Sequence, residues 1–355
     1  MRFSALSSLT LLAGMTLVSP AYAFDDIFKA IGLMPGAIEQ PKAFDYLAPS
    51  LGFSNADPNT FGVIDDLDLA AALIDSKLDP ATGIDFGRAT GVITLGAAPE
   101  NTTVIFGEPG FADGAHDALL ARDFTDSEDG EITIYARGED NAIDLAASEP
   151  DPLGSGMGKA QRLAVAPDYV MRTGSWPLIN QSLLVMHDEP AFTKVWADTL
   201  RGMQQVSEDG ATLELASGWT LFAFTDSLPT FEPEASGKTK NHDAGVDPLL
   251  AFPLAIIGLT RGQETAALHI AMPYGSPELA EQAGEIIVER LADFRMDVPE
   301  PKVTIIPAGG DAGALPTLIV TMENYESDIV DLQDLYLGFI AAIYQRDFKP
   351  LMAGL

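Results

Sequence analysis

The chain has 355 residues, no cysteine, and 52 acidic against 20 basic side chains, giving a formal net charge of −32. A surplus of that sign excludes nucleic acid as a partner, because phosphate contacts need clustered Lys and Arg, and it argues against docking to anionic lipid headgroups. The lack of cysteine removes disulfides, a lipid-anchored Cys and thiol chemistry, so stability must come from a hydrophobic core, for which a chain of this length has ample material.

In chain order, Arg2, the apolar run Leu6 to Val18 and the small residues of Pro20-Ala21-Tyr22-Ala23 form a signal-peptide pattern. The prediction is cleavage after Ala23, export to the Gram-negative periplasm, and a mature chain starting at Phe24 with no membrane span. Phe24 to Gln40 is amphipathic, with Phe24, Ile27, Phe28, Ile31 and Leu33 on one side. Phe61 to Ile64 is a candidate strand, and Leu67 to Leu78 a helix closed by Asp79-Pro80. Ala89 to Leu95 and Thr102 to Phe106 flank turn text and predict a hairpin. A helix from about Asp113 to Arg122 follows, then an acidic loop, Asp123 to Gly130, and a half-buried strand, Glu131 to Arg137.

Ala146 to Lys159 is predicted to be a surface loop, Leu163 to Thr173 a strand pair, Leu178 to Val206 two helices broken at Pro190, and Leu213 to Phe224 a strand. Residues 226–247 lack apolar periodicity and are assigned as a linker or long exposed loop between an N-terminal α+β domain, 24–225, and a C-terminal one, 248–355. In the second domain the apolar run Leu249 to Leu259 is expected to pair with a strand over Ala266 to Met272. Ser276 is a natural N-cap and Pro277 suits the first helical position. Leu279, Ala283, Ile286, Ile287, Leu291 and Phe294 then make one helical stripe. Strands at Val303–Ile306 and Leu318–Met322 lead to a last helix, Ser327 to about Phe348, striped by Ile329, Leu332, Leu335, Tyr336, Phe339, Ile340 and Ile343. The fold class is α+β, with antiparallel or mixed sheets covered by amphipathic helices. Strand, turn, helix and returning strand occur twice, around Val104 to Arg137 and around Glu264 to Ile306, which raises the alternative of two similar modules.

The run Gly83-Ile84-Asp85-Phe86-Gly87-Arg88, Val104-Ile105-Phe106-Gly107, Phe111-Ala112-Asp113, Ile132-Thr133-Ile134-Tyr135 and Leu163-Ala164-Val165 resembles a layout of exported bacterial domains of unknown function with ferredoxin-like α+β units. The resemblance covers about a third of the chain. It implies an α+β fold and transfers no catalytic residue.

The patterns of known chemistries fail one by one. His116-Asp117, His187-Asp188 and His242-Asp243 are neighbours in sequence, and adjacent side chains project in different directions on a helix or a strand. No Gly-x-Ser-x-Gly elbow is present, leaving Ser175 as the least unsuitable serine. Asp123, Asp126, Glu128 and Asp129 offer oxygen ligands of the kind calcium takes. Aligning Gly130 with an EF-hand glycine, however, puts Thr125 at the first ligand position and Ala136 at the last. Gly154 to Lys159 has Leu153 and Ala160 where a P-loop needs Gly and Ser or Thr. His242, Asp243 and Asp247 fall in the linker. Trp176, Trp196 and Trp219 are candidates for a ligand pocket or partner surface. No cofactor is expected. The reading is a non-enzymatic exported protein that binds another envelope protein or itself. The alternatives are a carrier or sensor of a small apolar ligand and, third, a hydrolase whose carboxylates lack a sequence signature.

Overall fold

In most strands of this chain, apolar residues occupy both the odd and the even positions, and such strands need cover on two faces. The computed structural model provides it. It describes residues 22–31, 42–48, 67–97, 100–140, 142–143, 152–153, 158, 160–185, 191–220, 254–294, 299–309 and 314–344.

The elements run α1 (Tyr22–Ile31), β1 (Lys42–Leu47), α2 (Leu67–Asp75), the two-residue β2 (Leu78–Asp79) and β3 (Ile84–Asp85), β4 (Ala89–Ala97), β5 (Glu100–Gly107) and α3 (Ala115–Leu120). Then come β6 (Thr125–Asp129), β7 (Ile132–Arg137), β8 (Gln161–Val165), β9 (Tyr169–Thr173), α4 (Trp176–Val185), α5 (Ala191–Val206) and β10 (Thr212–Thr220). The last are β11 (Leu254–Arg261), β12 (Thr265–Pro273), α6 (Pro277–Phe294), β13 (Lys302–Ile306), β14 (Thr317–Tyr325) and α7 (Ile329–Tyr344).

Twelve strands form one sheet in the order β13-β14-β12-β11-β10-β1-β4-β5-β9-β8-β7-β6, and each neighbouring pair is antiparallel. The fold is thus α+β, built on an antiparallel sheet. Within it one arrangement occurs twice. A helix, a three-strand meander, a second helix and a hairpin give α1, β1-β4-β5, α3, β8-β9, and then α5, β10-β11-β12, α6, β13-β14. In each copy the last strand lies beside the third and the fourth lies outermost. All pairs are antiparallel, which is not the connectivity of the split βαβ unit of ferredoxin-like folds. The structural counterpart of β13 is β8, whereas the sequence layout matched it with β7; β6 and β7 are an inserted hairpin that extends the first copy. The copies meet at β1 and β10, where Asp45 lies opposite Ser217. The assigned linker 226–247 lies outside the described residues, and the strands flanking it, β10 and β11, are hydrogen-bonded neighbours.

The two faces carry separate apolar clusters. On one, α2, α3, α6 and α7 bring Leu73, Leu119, Ile287, Leu335 and Phe339 against Leu215, Leu268 and Ile270. On the other, α1, α4 and α5 bring Ile27, Ile179, Trp196 and Met203 against Phe44, Ile93 and Ile256. Each fully buried side chain of this size contributes roughly 1.5–3 kcal/mol. At the seam the backbone leaves no room for a side chain: a Cβ on Gly218 would stand 2.5 Å from the Phe44 ring and 2.6 Å from Trp196. The α6 start follows its sequence signals, with Leu279 N donating to Ser276 Oγ at 3.3 Å.

Two local expectations are corrected. The acidic stretch is not a loop throughout, since Thr125–Asp129 is the edge strand β6, fully paired to β7 and turned at Gly130 (φ +64°). On β7, alternation of one buried and one solvated face does not hold, because Ile134 faces one apolar cluster and Tyr135 the other. Phe61 to Ile64 and most of Ala146 to Lys159 lie outside the described residues.

Candidate functional site

A polar interior of the second copy lies where α5 ends over β11, β12 and β14. Ser207 closes the helix, its N–H and its hydroxyl both donating to Met203 O, at 3.2 and 2.9 Å. Glu208 follows and fastens the β11–β12 turn. Its carboxylate accepts the N–H of Gln263 (3.1 Å), Glu264 (3.4 Å) and Thr265 (3.2 Å) and the Thr265 hydroxyl (3.0 Å). The Thr265 hydroxyl, with the backbone donors behind it, holds Glu208 below the usual carboxylate range. Gly262 N donates to Thr265 O at 2.7 Å, closing the same turn.

Between this corner and the sheet lies a cavity of about 390 Å³, walled by Ser207, Glu208, Thr260, Thr265 and Thr321, with Glu264 and Glu323 at its rim. Behind its wall sits His269 of β12, fully buried. Its Nε2 lies 2.9 Å from Thr260 Oγ1 and 3.3 Å from Ser207 Oγ, and its Nδ1 lies 3.1 Å from Thr321 Oγ1. Burial pushes the imidazole down to about 3, so it is neutral at physiological pH. Ser207 gives its hydrogen to Met203 O, while Thr260 Oγ1 and Thr321 Oγ1 stand at the two ring nitrogens, each donating or accepting according to the tautomer.

That geometry limits the chemistry. A serine nucleophile needs its proton directed at the imidazole, and the imidazole needs an acceptor behind it. Here the serine hydroxyl donates to a helix carbonyl, and a threonine hydroxyl stands at Nδ1 in the place a triad gives to a carboxylate. The arrangement holds a rigid polar wall in place and does not activate an oxygen.

The residues singled out from sequence lie elsewhere. Asp123 stands in the turn after α3 (φ +63°), and Asp126, Glu128 and Asp129 are exposed on β6, where alternation puts Asp129 on the side opposite the other two. No group of three side chains suited to a metal ion occurs among the described residues. The three tryptophans do not meet. Trp196 packs edge-on against Phe44 at 5.3 Å on one face, Trp219 is buried on the opposite face, and Trp176 is half-exposed beneath the Arg162 guanidinium at 5.2 Å. His116 turns to the Tyr135 hydroxyl, 3.0 Å away, and not to Asp117. Ser175 is buried just before α4, where its carbonyl accepts from Ile179 N at 3.3 Å. The residues of His187-Asp188 and His242-Asp243 lie outside the described residues. His269 escaped notice although it carries a sequence signal, being the one titratable residue within the apolar run Ala266 to Met272.

No family model matches the chain, and no curated protein matches it. Among solved structures, crystal form I of TP0453 superposes with a TM-score of 0.35 at 13% identity, over 86% of this chain and 96% of that one. A likeness of that extent assigns neither a family nor a function. No helix among the described residues is long and apolar enough to cross a membrane.

Proposed function

We propose that the protein is an exported, non-enzymatic binding protein of the Gram-negative periplasm, whose partner is a small molecule, another envelope protein or a second copy of the chain. The observation that carries this reading is the Ser207–His269 contact, in which the serine hydroxyl donates to Met203 O and a threonine, not a carboxylate, stands behind the imidazole, while the surrounding wall is fixed by hydrogen bonds. Fixed polar groups around a cavity are what binding requires, because little ordering entropy remains to be lost on association. Export is compatible with the packing of α1. Cleavage after Ala23 removes only Tyr22 and Ala23 from that helix and keeps its buried residues Phe24, Ile27, Ala30 and Ile31.

Two measurements test it. N-terminal sequencing of the protein from a periplasmic extract is expected to read from Phe24; an intact leader on a cytoplasmic chain would sink the export half. Hydrolysis of short-chain nitrophenyl esters is expected to stay at the buffer rate for both the wild type and Ser207→Ala. A wild-type rate that disappears in a folded Ser207→Ala variant would make the protein an enzyme.

A further inference from the structure

The sheet has two edges, and they differ in chemistry. At one, β6 carries Asp126, Glu128 and Asp129, has no apolar side chain and is exposed along its whole length. Charges of this kind keep an edge from pairing. At the other, β13 reads Lys302-Val303-Thr304-Ile305-Ile306, a β-branched run with a single charge, and among the described residues no strand pairs with its outer side. In an antiparallel ladder alternate residues turn their N–H and C=O away from the partner strand, so β13 presents a row of unpaired backbone groups. Val303 is 38% exposed. Pro301 and Pro307 bracket the run and confine any further pairing to the strand itself.

Helix α6 overhangs this edge. A Cβ on Gly284 would stand 2.9 Å from Val303 and 3.1 Å from Leu318, so the helix comes down on β13 and β14 at that residue. Ala280, Ala283, Ile287 and Leu291 are buried to one side of Gly284. With 3.6 residues per turn, Val288, Glu281 and Glu285 follow on its other side, about 40°, 60° and 100° round, above the open edge. Both carboxylates are exposed, and no ion pair among the described residues involves either. Val303 and Ile305 lie on the α6 side of β13, with Lys302, Thr304 and Ile306 on the other. The edge thus has an apolar floor on one face and two carboxylates over it. A second copy of the chain does not suit it, because pairing β13 with its own counterpart would bring two Glu281–Glu285 flanks together. A strand with Lys or Arg at alternate positions does. Its backbone completes the ladder, and its aliphatic stems lie along Val303, Ile305 and Val288 while the charged heads reach the carboxylates.

We infer that the β13 edge binds an extended basic segment of a partner protein by strand addition, with the cationic side chains held under α6 by Glu281 and Glu285. This rests on the binding reading given above and selects the protein partner. The test is a fluorescence-anisotropy titration of the full chain into a labelled, end-capped heptapeptide alternating Lys and Val, at physiological ionic strength. Saturable binding is expected. The same peptide fully N-methylated, which keeps its charge and cannot pair, is expected not to bind, and neither is the peptide with Glu in place of Lys. The double variant Glu281→Gln/Glu285→Gln changes only exposed side chains, so the fold is retained, and it is expected to weaken binding at least tenfold. Amide exchange in the complex is expected to slow at residues 302–306 and to stay unchanged at 125–129. Equal binding of the methylated peptide, or undiminished binding in the double variant, would reduce the effect to general attraction by an acidic surface and overturn the site. Protection at 125–129 instead would put the pairing on the other edge and overturn it too. If the peptide does not bind while native mass spectrometry of the same preparation shows another retained species, the strand partner falls and the binding reading stands. If the peptide does not bind and nothing is retained, both fall.

Discussion

The two copies of the repeated unit use buried polarity in opposite ways. In the first, Arg162 on β8 is 2% exposed and its two terminal nitrogens serve as a lock. It donates to Arg137 O (3.0 Å), Gly138 O (2.9 Å) and Gln161 O (2.8 Å), pairs with Asp140 (2.7 Å) and covers Trp176. The inserted hairpin β6–β7 is tied down in the process. In the second copy the corresponding strand pair β13–β14 carries no insertion, and the polar residues Thr260, His269 and Thr321 line up across three strands beside an opening. The C-terminal end of α5, with Val206 and Ser207, forms one wall of the cavity. A duplicated scaffold therefore need not have duplicated sites. One copy closes around its charge, while the other keeps a space.

The largest expected effect concerns the second copy alone. The His269 pKa is depressed in the folded state, so the unfolded chain takes up its proton first as the medium is acidified. Stability from this residue is complete above pH 6.5 and is lost as pH falls toward about 3. The loss across that window is on the order of 5 kcal/mol, most cleanly separated from carboxylate titration above pH 5. Urea unfolding at stepped pH is expected to show this slope in the wild type and not in His269→Gln. An equal slope in both would mean the histidine is solvated.

At the seam between the copies, Gly218→Val forces a side chain into the Phe44 and Trp196 rings and is expected to cost about 3 kcal/mol. Because the sheet is continuous, calorimetry is expected to give one unfolding transition shifted as a whole. Two separate transitions in the wild type would divide the molecule into independent halves. In the first copy, Arg162→Met removes four charge-assisted hydrogen bonds and leaves buried carbonyls without donors. A loss of about 2–3 kcal/mol is expected, with faster amide exchange concentrated at residues 137–140. The smallest effect belongs to Lys29 on α1, which pairs with Asp168 and lies over the Tyr169 ring at 4.9 Å. Both partners are partly solvated, so Lys29→Met is expected to change stability by less than about 1 kcal/mol.

Local signals made much of the fold readable. The β4–β5 hairpin is announced by its turn text, α6 by Ser276 and Pro277, and α7 by its stripe. β6 was obscure because an exposed edge strand needs no apolar face, and Asp126, Glu128 and Asp129 obey turn and loop statistics while their backbone pairs with β7. The seam and the site were obscure for another reason. Asp45 and Ser217 are 172 positions apart, and Ser207 and Thr321 lie 62 and 52 positions from His269. Only the register of the completed sheet brings such residues together, and no periodicity within one segment encodes it.

The most direct test of the central claim is native mass spectrometry of the protein released gently from its host cells. The expected result is the mass of a chain beginning at Phe24 accompanied by a bound species, a small molecule or a stoichiometric second protein. A bare, full-length chain with nothing retained would contradict both the export and the binding on which the account depends.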